Sequence, residues 1–158
     1  RELLEPVLEE IRKHDGVLSI MHVCRGNWTT DESVLLQGAY DKLGKFFDAL
    51  DLDMLALEFS TPRAGEVEKL FSNNFLDTRV MLGFGCVNPR SEIIETPEEI
   101  VARVEEVLQF LPPERIWLNP DCGFATFAKR PLNPYPIIQK KLENMVAASK
   151  ILREKYCK

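Results

Sequence analysis

Four short apolar segments, each followed by a turn and a more polar stretch, constrain the fold of this chain most strongly. They span residues 17–24, 53–60, 79–87 and 115–119. Their continuous apolar character predicts strands that are buried on both faces, as in parallel sheets. Helical patterns precede, separate or follow them at 1–14, 30–50, 67–71, 96–111 and 136–155. This strict alternation predicts an α/β fold of parallel βα units joined by right-handed crossovers.

Two architectures fit the alternation. One is an open doubly wound sheet, and the other is half of a TIM-type (β/α)₈ barrel, and in both the chemistry gathers at the carboxyl ends of the strands. Two local signals add detail. Thr96, Pro97 and Glu99 have the spacing of a capping box with proline at the first helical position, and the glycines within 79–87 predict close approaches of the backbone.

Composition excludes several classes of protein. The 158 residues suffice for one domain with a buried core. A net charge of −5 argues against a binder of nucleic acid or of anionic membranes. The apolar runs are well short of the roughly 18 residues of a membrane span. Four sparse, irregularly spaced cysteines favour a reducing compartment, and hence the cytoplasm.

Each predicted strand delivers a possible metal ligand at its carboxyl end. His22 and Cys24 end the first strand, and their spacing of two places both side chains on one face. Glu58 ends the second strand, Cys86 the third, and Cys122 follows the fourth. Each residue alone is a common feature of strand ends. Their convergence on one rim predicts a metal site, and a nitrogen, thiolate and carboxylate set suits Zn²⁺.

The neighbouring residues leave alternatives open. Cys86 is either a small core residue, which we favour, or a further thiolate near the metal, and Cys157 is expected to take no part. Arg25 and Arg63 are expected to be solvated loop charges, with the binding of a carboxylate as the alternative. Asp121 is expected to orient a ligand or the backbone rather than to act as a base.

Two motifs then point to a family. His-Val-Cys-Arg-Gly-Asn at 22–27 and Asn-Pro-Asp-Cys-Gly-Phe at 119–124, with Glu58 on the strand between them, resemble the cobalamin-independent methionine synthases. The resemblance implies that residues 1–158 form a single domain, the second half of a zinc-binding (β/α)₈ barrel. It also implies that the zinc ligands are His22, Cys24, Glu58 and Cys122.

The function that the resemblance implies is the transfer of a methyl group to the thiol of homocysteine to make methionine. The donor is left open between a methylated folate and a corrinoid carrier. Two other hypotheses remain: zinc-dependent alkyl transfer to another thiol such as coenzyme M, and a non-catalytic, zinc-stabilised half-barrel that assembles with another chain. Because the chain begins within a helical pattern and half a barrel has unpaired edges, we expect a piece of a longer protein, inactive alone, that pairs with the missing half or self-associates.

Overall fold

The four predicted strands form one parallel sheet in the order β1-β2-β3-β4 in the computed structural model, which describes residues 1–157. The strands are β1 Ile20–Val23, β2 Met54–Glu58, β3 Met81–Val87 and β4 Ile116–Pro120. The prediction of parallel βα units is therefore confirmed. Strand order that follows chain order is the arrangement of consecutive units in a (β/α)₈ barrel, whereas a doubly wound sheet reverses its order part-way across.

Helices connect and flank these strands. The α-helices are α1 Glu5–Ile11, α2 Gly44–Asp48, α3 Val67–Leu70, α4 Leu76–Arg79, α5 Pro97–Val107 and α6 Tyr135–Tyr156, with 3₁₀ turns at Glu32–Val34, Tyr40–Leu43, Pro62–Ala64 and Pro113–Arg115. The predicted capping box starts α5: the Thr96 hydroxyl accepts from the Glu99 N–H, and the Glu99 carboxylate accepts from the Thr96 N–H. Within residues 1–157, no helix combines the length and apolar character that a bilayer crossing requires.

The single helix predicted over 30–50 is wrong. The segment instead contains two 3₁₀ turns and the short helix α2. Two local features interrupt it. The Leu36 N–H bonds back to the Arg25 carbonyl rather than along a helix, and Gly38 has a φ of 139°, a value that no helical residue adopts.

The hydrophobic core lies on the face of the sheet that packs against the helices. Leu55 and Leu57 of β2 and Leu82 and Phe84 of β3 are fully buried there. Helix α5 packs on β3, and α6 packs on α5 and β4. Each buried leucine or phenylalanine contributes about 1.5–3 kcal/mol relative to an exposed one.

The opposite face of the sheet carries His22 and is largely open. His22, Ala56, Gly83 and Trp117 lie side by side in register across the four strands. Trp117 is 49% exposed, and Ile20 on the same face of β1 is 53% exposed. The prediction that the strands are buried on both faces is therefore wrong for β1 and β4, because within residues 1–157 this face lacks a covering layer.

Gly85 confirms the predicted close approach of the backbone in the third strand. A Cβ atom at this position would lie 2.5 Å from the Leu57 carbonyl oxygen and 2.6 Å from Asp121 Oδ1. Any side chain would therefore push the segment after β4 away from the end of β2. A glycine here lets Asp121 lie directly over the sheet, next to the predicted ligands.

We expect Gly85→Ala to lower the free energy of unfolding by about 1–3 kcal/mol, because the added methyl group meets backbone and a buried carboxylate. Gly123→Ala is the matched control. Its Cβ would have no neighbour closer than 4.0 Å, so we expect a change within about 0.5 kcal/mol. Urea unfolding of the two variants checks this, and equal stabilities would contradict it.

Candidate metal centre

Three of the four predicted ligands meet at the carboxyl end of the sheet. One donor atom each from His22, Cys24 and Cys122 lies within 4.8 Å of the other two. His22 Nε2 and Cys122 Sγ are 3.5 Å apart. His22 and Cys24 come from the end of β1, and Cys122 follows β4, so donors from the two edges of the sheet meet at this rim.

Glu58 lies beside this group, although it is not among the three residues with mutual distances within 4.8 Å. Glu58 is the last residue of β2 and is 1% exposed. The Cys122 thiol donates to Glu58 Oε1 at 3.6 Å, and the other carboxylate oxygen, Oε2, accepts the Arg25 backbone N–H at 2.7 Å. The carboxylate therefore contacts Cys122 through one oxygen and the protein backbone through the other.

A hydrogen bond fixes the orientation of the His22 ring. Its Nδ1 lies 3.0 Å from the carbonyl oxygen of Ala56, its register partner on β2. Because a carbonyl oxygen only accepts, Nδ1 of the neutral ring carries the proton and Nε2 keeps its lone pair. That lone pair is directed toward Cys122, which leaves His22 in the tautomer that a metal ligand requires.

The electrostatics of Cys122 are unfavourable for a lone thiolate. Partial burial raises the pKa of the Cys122 thiol above its usual value, and the proximity of Cys24 and Glu58 raises it further. At neutral pH the Cys122 thiol therefore stays protonated unless a cation compensates the negative charge of its thiolate. This is the behaviour of a set of donors arranged for a cation rather than of a free nucleophile.

Cys86 takes no part in this cluster. It is buried in the hydrophobic core, and its thiol faces the Asn119 carbonyl at 3.6 Å. The register between β3 and β4 shifts between Gly85 and Val87, which is where Cys86 stands. Burial raises the pKa of the Cys86 thiol to about 12. The first of the two predicted alternatives, a small core residue, is confirmed.

The prediction that Arg25 and Arg63 are solvated loop charges is wrong. Both side chains are buried, and together with Arg90 they surround the Glu58 carboxylate, at nitrogen–oxygen distances of 3.6 Å from Arg25 and 3.4 Å from each of the other two. The Arg25 guanidinium also lies 3.9 Å from the centre of the Tyr40 ring. The loops that carry these arginines fold over the rim, so the charges face a protein carboxylate instead of water.

Asp121 orients the backbone beside the cluster, as predicted. Its Oδ1 accepts from the N–H groups of Phe59 and Ser60 at 3.0 and 2.9 Å, and its Oδ2 accepts from Arg90 at 2.7 Å. Burial raises the pKa of Asp121, and the bonds from Ser60 and Arg90 oppose this effect. The residue before Cys122 is thus anchored to the segment that follows Glu58.

Sequence reasoning missed two residues of this centre. Arg90 follows the third strand, so the same strand-end rule that selected His22 and Glu58 points to it as well. Nothing in the sequence marked Tyr40 as part of the site, because it lies within the segment that was predicted as one helix. Its hydroxyl donates to the Val23 carbonyl at 3.0 Å and accepts from the Glu58 N–H at 2.9 Å, which joins β1 to β2 at the rim.

Comparison with known proteins agrees with this geometry. The family described as "Cobalamin-independent synthase, Catalytic domain" matches residues 21–151. The chain belongs to this family. The match includes β1 from Met21 onward, the other three strands and the candidate metal centre.

Individual relatives extend the comparison. A methionine synthase from Sulfurisphaera tokodaii is 34% identical over 151 residues, which cover 96% of this chain and 38% of that protein. The 5-methyltetrahydropteroyltriglutamate–homocysteine methyltransferase of Candida albicans is 33% identical over 108 residues, covering 68% of this chain and 13% of that protein. The chain thus spans less than half the length of these curated relatives.

The fold is shared with a solved structure. A B12-independent methionine synthase from Shewanella sp. W3-18-1, solved in complex with selenomethionine, superposes with a TM-score of 0.69 at 17% identity. The superposition covers 94% of this chain and 45% of that one. The parallel sheet therefore corresponds to four consecutive units of the TIM-type barrel of that protein.

The hydroxyl of Tyr40 gives a prediction about stability and pH. Burial raises the pKa of Tyr40 to about 12, whereas the pKa of an unfolded tyrosine is about 10. The contribution of Tyr40 to the free energy of unfolding is therefore complete below pH 10 and is lost as the pH rises toward 12. The reason is that the tyrosine of the unfolded chain releases its hydroxyl proton at a lower pH than that of the folded chain.

We therefore expect Tyr40→Phe to be less stable than wild type by about 1–3 kcal/mol at pH 8, since it leaves the Glu58 N–H without its acceptor. This difference in the free energy of unfolding should narrow between pH 10 and pH 12. Urea titrations at several pH values measure it, and a difference that stays constant up to pH 12 would show that the account of Tyr40 is wrong.

Proposed function

We propose that this chain carries the zinc site of a methyltransferase that moves a methyl group to the thiol of homocysteine and so makes methionine. The observation that carries the proposal is the meeting of His22, Cys24 and Cys122 beside Glu58 at the carboxyl rim of the sheet. The relatives from S. tokodaii and C. albicans, a methionine synthase and a homocysteine methyltransferase, support it. The methyl donor is a methylated folate or a corrinoid carrier.

The contacts of Cys122 fit Zn²⁺ in distance, and the donor types of the four residues fit it in chemistry. Zinc–sulfur bonds of about 2.3 Å and zinc–nitrogen or zinc–oxygen bonds of about 2.0–2.2 Å place a sulfur ligand of a tetrahedral site about 3.5–3.7 Å from a nitrogen or oxygen ligand. The Cys122 sulfur lies 3.5 Å from His22 Nε2 and 3.6 Å from Glu58 Oε1. We therefore assign His22, Cys24, Glu58 and Cys122 as the zinc ligands.

The charges around the site support the same assignment. Three guanidinium groups, those of Arg25, Arg63 and Arg90, balance the charges of three carboxylates. Each guanidinium contacts at least one of these carboxylates, which belong to Glu32, Glu58 and Asp121. The remaining negative charge comes from the cysteine pair once it is deprotonated. A single divalent cation balances two thiolates, so the site as a whole is close to neutral with zinc bound.

The chain's own residues have defined tasks in this reaction. Bound zinc is a Lewis acid that lowers the pKa of a thiol, so that a substrate thiol is a nucleophilic thiolate at neutral pH. His22 offers the Nε2 lone pair because Ala56 holds its Nδ1 proton. Tyr40 and Arg25 hold the Glu58 backbone and carboxylate in place. His22 and Cys24 are exposed, so a small thiol can reach the cluster from the inner face of the sheet, which is the open face that carries His22.

We also propose that residues 1–158 form the second half of a zinc-binding barrel, whose inner face is completed by further chain or by a second subunit. The open inner face at Ile20 and Trp117 and the unpaired edges of β1 and β4 support this. We expect the reaction to take place in the cytoplasm, where cysteines stay reduced.

The test is an assay of the native full-length protein with homocysteine, run separately with methyltetrahydrofolate and with methylcobalamin. Formation of methionine with either donor supports the proposal and identifies the donor. Transfer to coenzyme M but not to homocysteine would replace the proposed substrate. Bound zinc without transfer to either thiol would favour the non-catalytic half-barrel.

Cys122→Ser should abolish tight zinc binding and methyl transfer, because a hydroxyl is a much poorer zinc ligand than a thiolate. Cys157→Ser is the matched control, since Cys157 is exposed just beyond α6 and outside the cluster. Metal analysis after dialysis, together with the methionine assay, measures both effects. Equal zinc content in wild type and Cys122→Ser would remove Cys122 from the ligand set.

A further inference from the structure

Arg90 is the point at which segments from the ends of all four strands meet. Its side chain is 0% exposed. Its nitrogen atoms lie 2.7 Å from Asp121 Oδ2, 2.9 Å from Glu32 Oε1, and 3.4 Å from both Glu58 Oε1 and Asn27 Oδ1. Asn27 and Glu32 follow β1, Glu58 ends β2, Arg90 itself follows β3, and Asp121 follows β4.

These contacts flank Cys122 on both sides in the chain. Asp121 precedes it, and Asn27, which accepts from Arg90, donates through Nδ2 to the carbonyl of Gly123 at 2.6 Å. Arg90 also contacts the oxygen of Glu58 that lies 3.6 Å from the Cys122 sulfur. One guanidinium group thus contacts Glu58 directly and the two chain neighbours of Cys122 either directly or through Asn27.

The position of Arg90 is itself fixed from outside the site. Its backbone N–H donates to the side chain of Asn88, which also donates to Glu32 at 2.9 Å. The Asn88 N–H donates to Glu95 at 2.7 Å, and Glu95 pairs with the buried Lys141 of α6 at 2.7 Å. A continuous set of polar contacts therefore connects the long helix α6 to the guanidinium group.

We propose that Arg90 is a positioning residue that sets the zinc affinity of this site by holding Cys122 and Glu58 at ligand distance. The inference rests on the proposed function, because it requires that the site binds zinc. Arg90 acts through geometry rather than through charge alone. The planar guanidinium reaches acceptors in several directions at once, whereas a lysine ammonium in the same place is a compact point charge that cannot reproduce this fork.

The experiment measures zinc affinity by competition with a chelator in the native full-length protein and in three variants: Arg90→Met, Arg90→Lys and Arg115→Met. The absorption spectrum of the Co²⁺-substituted proteins is the second readout, since thiolate-to-Co²⁺ bands report on the cysteines directly. Arg115 is the matched control. It donates to the Asp77 carbonyl at 2.7 Å just before β4 begins, at the opposite end of the sheet from the cluster.

We expect both substitutions of Arg90 to weaken zinc binding by about 10- to 100-fold and to alter the Co²⁺ spectrum, while Arg115→Met leaves both unchanged. Removal of one member of a buried ion pair is strongly destabilising, so Arg90→Lys, which keeps the charge, carries the test if Arg90→Met does not fold. Thermal unfolding identifies the variants that are folded.

The outcomes separate the two proposals. If wild type binds no zinc, the proposed function fails. If wild type binds zinc and folded Arg90→Lys has the same affinity and spectrum, the proposed function stands and the positioning role of Arg90 is wrong. An equal loss of affinity in Arg115→Met would also overturn it, because the effect would then be a general loss of stability.

Discussion

Buried contacts between arginines and carboxylates at the carboxyl rim hold the rest of the site in place. Arg90 bonds Asp121 and Glu32, and three guanidinium groups surround Glu58. A buried charge is tolerated only when it is paired and hydrogen-bonded, so these loops have few alternative arrangements. The exposed His22 and Cys24 can remain at the surface because the rigid part of the site lies beneath them.

The strand ends were the predictable part of this structure. The alternation of apolar and helix-forming segments predicts the parallel sheet. The rule that chemistry gathers at its carboxyl edge selects five candidates, and the family resemblance reduces them to His22, Cys24, Glu58 and Cys122. These residues do come together, with Glu58 joined to the group through Cys122. The position at which a strand ends depends on the local sequence, which is why the residues at the strand ends could be located.

The loops were not predictable in the same way. Whether Arg25 is solvated or buried depends on how the segment after β1 returns over the rim, and this return rests on Tyr40, Gly38 and contacts distant in sequence. The same segment was predicted as one helix because Thr30 and Glu32 have the spacing of a helix start, while the backbone of Gly38 prevents a continuous helix. Burial on both faces failed for β1 and β4 because, within residues 1–157, the face that carries Ile20 and Trp117 lacks a covering layer.

The central claim is that His22, Cys24, Glu58 and Cys122 bind one zinc ion, and zinc K-edge X-ray absorption of the native full-length protein tests it most directly. The account predicts one tightly bound zinc per site with two sulfur neighbours at about 2.3 Å and two nitrogen or oxygen neighbours at about 2.0–2.2 Å. Loss of both sulfur neighbours in the double variant Cys24→Ser/Cys122→Ser would assign them. A protein without stoichiometric zinc, or zinc surrounded only by nitrogen and oxygen, would contradict the account.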